Sequence, residues 1–178
     1  MARNTTVLRL AEVIDLTIGH VCRAAVIVTG VALTVVMTAN VLARHLLAQG
    51  GFAFAQELPT LLFPWMIVAG VVLAALGGAH MAVDWIYGKV PERLRVPIYL
   101  LVQAIVGLSF AWMAWQAVII AQIAGIQRSP VLHVPGSVGF YSIALGSALI
   151  FLVSITASIR VIALGWDARP HPLGTASE

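Results

Sequence analysis

The chain has 178 residues, of which 61% are apolar or aromatic and only 10% charged, with a mean hydropathy of +0.99. Soluble domains average about 25% charged residues, so this composition excludes a water-facing globular domain, and it excludes disorder more firmly because disorder needs low hydrophobicity and high charge. One cysteine, Cys22, leaves no internal disulfide, and the basic residues are scattered rather than patched, which argues against nucleic acid despite a pI of about 9.6.

The first element runs from Thr5 to Arg23. Arg9, Glu12, Asp15, Gly19 and Arg23 recur at near-helical spacing and leave a broad apolar face of residues such as Val7, Leu10, Ile14 and Val21. This predicts an amphipathic helix over 5–23 lying in a membrane interface, the other reading being a cytoplasmic extension of span 1. The apolar run that follows is longer than the core of a signal peptide and has no small-residue cleavage site, so it is expected to remain in the mature protein.

Four charge-free stretches follow: Ala24 to Ala43, Leu58 to Ala79, Val96 to Gln127 and Ser129 to Ile159. About 20 helical residues cross a hydrocarbon core of roughly 30 Å. The chain is therefore read as one all-α membrane domain, a four-helix bundle with spans at 24–43, 58–79, 97–126 and 136–159 and a tail at 160–178. Gly50-Gly51, Pro91, Pro130 and Pro135-Gly136 mark the breaks. Pro59 suits the first turn of span 2, and Pro64 should kink it.

Eight of the ten Lys and Arg residues fall on the side of the termini and the 2–3 loop, whereas Arg44 and Arg128 alone fall on the other. The positive-inside rule then places both termini in the cytoplasm. Trp85, Tyr87, Tyr99 and Trp166 would form the inner aromatic belt, and Phe52, Phe54 and Tyr141 the outer one.

Span 3 carries a seam of small residues, Gly107, Ala111, Ala114, Ala121 and Gly125, with Ala104 and Val118 in the same register. Such seams let membrane helices approach closely. Another stripe of span 3 holds Trp112, Trp115, Gln116 and Gln122. Trp112 lies near mid-membrane, away from any belt, so it needs a packed neighbour, either another protein or this bundle.

None of the 17 charged residues lies within an expected span. Ion and proton pathways use intramembrane Asp, Glu, Lys, Arg or His, and the paired interrupted helices of an inverted-repeat transporter are also missing. There is no phosphate loop, nucleophile elbow or zinc motif. The five histidines flank the spans or lie outside them, and His80 with Asp84 makes only two metal ligands. The expectation is a chain that is not an enzyme, holds no cofactor, and moves nothing by itself.

The segment from Asn40 to Asp84 carries a resemblance. It reads Asn40-Val41-Leu42-Ala43-Arg44, then Phe54-Ala55-Gln56-Glu57-Leu58, then Trp65, then Gly78-Ala79-His80-Met81-Ala82-Val83-Asp84. This resembles the small membrane subunit of tripartite ATP-independent periplasmic (TRAP) transporters, the DctQ-like family. His45 stands where that family commonly has an aromatic, and Gln56-Glu57 replaces its acidic pair.

The resemblance implies a bacterial inner-membrane secondary transport system. In such systems a periplasmic binding protein delivers an organic acid such as a carboxylate. A large permease carries the substrate and the coupling ion, commonly sodium. The small subunit would be a scaffold for that permease. Candidate motif or subunit-contact residues are then Asn40, Arg44, Glu57, Trp65, His80 and Asp84. Arg44 and Glu57 bracket the short outer loop, and are expected to pair with each other or with a partner protein. The competing readings are a membrane anchor of a redox complex, which would need haem or quinone ligands, and a small homo-oligomeric channel, which would need a polar ring to line its pore.

Overall fold

The computed structural model describes residues 2–46, 50–78 and 89–166. The described residues form four helices: α1 (Ala2–Leu46), α2 (Ala53–Leu76), α3 (Glu92–Ala124) and α4 (Ser137–Leu164). All four are long and apolar enough to cross a membrane. The described parts of the 1–2 and 3–4 loops share one end of the bundle, and the start of α1 and the end of α4 lie toward the other. His80, Asp84, Trp85, Tyr87 and most of the tail lie outside the described residues.

The bundle is asymmetric. α1, α2 and α4 pack mutually, while α3 lies along α4 and barely meets the other two. The main core joins Ile18 and Cys22 of α1, Ala69 and Val72 of α2, and Ile150 and Val153 of α4, with Phe110 of α3 at its edge. A smaller cluster at the terminal end holds Tyr99 and Val161, with Trp166 edge-on to the Tyr99 ring at 6.2 Å.

α4 is central because its packed faces are made of small residues. Ser142, Ala144, Gly146, Ser147, Ser154 and Ala157 are all buried. Gly146 meets Val68 of α2 so closely that a Cβ there would collide with the valine. The Ser142 hydroxyl costs little because it bonds locally, donating to the Gly139 carbonyl at 2.7 Å, and the half-buried Ser158 donates likewise to the Ser154 carbonyl at 2.7 Å. The small-residue seam of span 3 faces this helix from Gly107 onward, whereas Ala104 is exposed. Gly107 lies against Phe151 and Ser154, and Ala121 is fully buried. Ala117 rather than Val118 continues the seam, since Val118 is exposed.

The segment expected as an interfacial helix or as an extension of span 1 is continuous with span 1, in one helix about 68 Å long at 1.5 Å per residue. Its buried face carries Ala11, Ile18 and Cys22. Asp15 also turns inward, off the polar stripe that the sequence spacing assigned it to. Its carboxylate meets the Arg160 guanidinium at 2.6 Å and accepts a 2.7 Å bond from the Thr156 hydroxyl.

Candidate functional site: the loop end of the bundle and the outer face of α3

The 1–2 connection is a tight corner built around Asn40. Asn40 is 4% exposed, and its Oδ1 accepts the Phe52 backbone N–H at 2.7 Å. Phe52 precedes the first turn of α2, which has no cap of its own, so Asn40 satisfies a donor that the helix start leaves open. Gly51 is required for the approach: a Cβ there would overlap both Asn40 Oδ1 and the Arg44 side chain. Arg44 thus packs its stem along the corner while the residue as a whole stays exposed.

Glu57 does not pair with Arg44. Its carboxylate grips the 3–4 loop from the second turn of α2, accepting bonds from the Ser129 hydroxyl at 2.5 Å and from the Val131 and Leu132 backbone N–H groups at 2.9 Å each. A carboxylate is acceptor-only with room for several donors, and the tight loop turns its backbone donors to one side. That loop is itself closed like a hairpin. The Ser129 N–H donates to Val134 at 3.0 Å, the Gly136 N–H to Gln127 at 2.8 Å, and the His133 N–H to Ser129 at 3.2 Å. His133 has φ 53°, the left-handed turn position that closes it. Of the two expected arrangements, pairing of Arg44 with Glu57 or with a partner protein, the first is not seen here, and the Glu57 carboxylate is engaged by the loop donors instead.

Trp65 lies two turns further along α2 and is half-buried. Gly125 ends α3 beside the Ser137 hydroxyl of α4. Ala111 and Ala114 are half-buried on the α4-facing side.

Trp112 and Trp115 point away from the bundle and are 67% and 66% exposed. They belong to a longer stripe of exposed apolar side chains, Leu101, Ile105, Leu108, Ile119 and Ile123, spaced alternately by four and three residues up to Ile119. That spacing is the heptad seam of a helix that meets another helix. It was readable in the sequence, where the tryptophans drew attention to Gln116 and Gln122 instead. Packing within this bundle is thus not what accommodates Trp112. Among the described residues no three His, Cys, Asp or Glu side chains gather where they could hold a metal.

Four long apolar helices, a braced loop end and an exposed apolar stripe with two tryptophans on the face of α3 turned away from α4 describe a multi-span α-helical bundle. Residues 33–164 match the family model described as tripartite ATP-independent periplasmic transporters, DctQ component. The chain belongs to this family, the small-subunit component of TRAP transporters. It is 45% identical over 173 residues to the uncharacterised protein y4mM of Sinorhizobium fredii, covering 96% of this chain but 32% of that protein. The chain thus spans about a third of the length of that relative. It is also 24% identical over 110 residues to a Haemophilus influenzae protein named, provisionally, as a TRAP transporter small permease, covering 62% of this chain and 67% of that one. No solved structure matches the chain. Family membership gives the redox-anchor alternative no support.

Proposed function

We propose that this chain is the non-translocating scaffold of a TRAP-type secondary transporter in the bacterial inner membrane. It supports a large permease subunit in ion-gradient-driven uptake, with sodium as the coupling ion, of an organic acid delivered by a periplasmic binding protein. Both termini are cytoplasmic in this reading, and the braced loop end faces the periplasm. The turns before Asp15 then lie at the inner interface.

The observation that carries the reading is the bare stripe of α3. Tryptophan facing lipid belongs at the membrane boundary, whereas Trp112 and Trp115 stand in the middle of a 33-residue helix and are largely exposed among the described residues. A large apolar partner subunit covers them. The lack of charge in the expected spans at 24–43, 58–79, 97–126 and 136–159 supports the same division of labour, with substrate and ion sites on the partner.

The test is reconstitution of the chain with its large permease and binding protein. Uptake of a carboxylate should need all three components and an imposed ion gradient. A Leu108→Lys substitution, placing a charge in the stripe, should abolish both co-purification and uptake. Uptake by the large subunit without this chain would refute the scaffold role.

A further inference from the structure

A cavity of about 530 Å³ lies between α2 and α4 at the loop end, beneath the 128–135 hairpin. Below it α2 and α4 meet closely at Val68 and Gly146, and Pro59 and Pro64 interrupt the α2 ladder on either side of Thr60. Proline offers no N–H, so Pro64 leaves the Thr60 carbonyl, at the cavity wall, without its helical donor.

The cavity is two-faced. Its depth is apolar, with Leu61, Pro64 and Ile143, and its rim carries Gln127 and Arg128. The Arg128 guanidinium makes one long bond, 3.5 Å from Nη1 to the His133 carbonyl, and no carboxylate pairs with it among the described residues. Glu57, the acid at the same rim, is committed to the loop through both of its oxygens. An unneutralised guanidinium therefore stands over an oily slot about 10 Å deep, the rise from Glu57 to Pro64 along a helix.

Guanidinium groups favour phosphate through paired N–H donors, and an apolar slot at the end of membrane-spanning helices is level with the phosphate and upper acyl region of a lipid. We propose that this cavity is a phospholipid site. One glycerophospholipid of the adjoining leaflet sets its phosphate against Arg128 and one acyl chain between Leu61, Pro64 and Ile143. The lipid fills the gap that the prolines open and ties the hairpin roof to α2 and α4.

The test is native mass spectrometry of the full chain, with any subunit that accompanies it, released from nanodiscs of phosphatidylethanolamine and phosphatidylglycerol. The wild-type chain should retain one phospholipid. Arg128→Gln and Leu61→Trp should each lower that occupancy by about tenfold, Arg128→Lys should keep part of it, and Val35→Trp, on an exposed face of α1, should change nothing. Lipid counts that are the same in all variants would overturn the site. Should Arg128→Gln and Leu61→Trp fail to fold, a photoreactive residue at Ile143 decides: a covalent phospholipid adduct supports the site, and an adduct to protein or to nothing refutes it.

Discussion

Asp15 of α1 and Arg160 of α4 meet at 2.6 Å at the terminal end of the bundle, with the Thr156 hydroxyl on the second carboxylate oxygen. The contact links the lower part of the longest helix to the central one, and Asp15 is only 14% exposed within it. Removing one member leaves the other charge poorly solvated, which costs more than removing both. Asp15→Asn and Arg160→Gln should each destabilise the purified subunit by about 1–3 kcal/mol. The double substitution should cost clearly less than the sum. Thermal unfolding of the four proteins in detergent measures this coupling, and strict additivity would mean that the pair contributes nothing.

Gly146 and Val68 set how closely α2 and α4 approach. Valine is stiff at χ1, so it cannot swing aside for a new methyl group. Gly146→Ala should destabilise by about 1–3 kcal/mol, the usual cost of overpacking. Val68→Ala in the same chain should restore much of the loss, because the space taken on one helix is returned on the other. If Gly146→Ala melts like the wild type, the helices are not fixed at this point.

Much of this fold is legible in the sequence, because span length and charge-free runs follow directly from the thickness of a bilayer. The seam from Gly107 to Gly125 is legible for a similar reason: small residues at three-and-four spacing have one packing use in a membrane. The centrality of α4 is less visible, since Ser142, Ser147 and Ser154 look like ordinary polar interruptions until all three are seen buried and the Ser142 hydroxyl is seen bonding within its own helix. Asp15 is harder still. Helical spacing places it at the edge of the polar stripe, and its partners lie on a helix far away in the chain. Glu57 was recognisable as a motif position, but its partners Val131 and Leu132 donate through backbone N–H groups, and side-chain identity says nothing about where those point.

Glu57 holds the 3–4 hairpin through three donors. Glu57→Gln keeps the length of the side chain but turns one acceptor into a donor, which faces the Val131 or Leu132 N–H or the Ser129 hydroxyl. The hairpin should loosen while the helices stay intact. Amide hydrogen exchange should therefore quicken at Val131 and Leu132 and remain unchanged at Val72 and Val153 in the core. Arg44→Gln should leave the same two amides protected, because Arg44 is not a partner of the carboxylate. Equal loss of protection in both variants would return Arg44 to the site.

Trp112 and Trp115 are the largest side chains of the bare α3 stripe, and they bear on the scaffold reading. Tryptophan dominates interface energetics, and a truncated hot spot typically costs 2 kcal/mol or more of binding. Trp112→Ala with Trp115→Ala should thus weaken association with the large subunit by at least roughly 30-fold. The same pair should leave the melting of the isolated small subunit nearly unchanged, since neither ring packs on α4. Removing packing on the other side of the helix, by Phe110→Ala, should do the opposite: lower the melting temperature and weaken assembly only as a consequence. Affinity measured by microscale thermophoresis in detergent, beside thermal unfolding of each variant, separates the two faces. A double tryptophan variant that binds the large subunit like the wild type would move the subunit contact off α3.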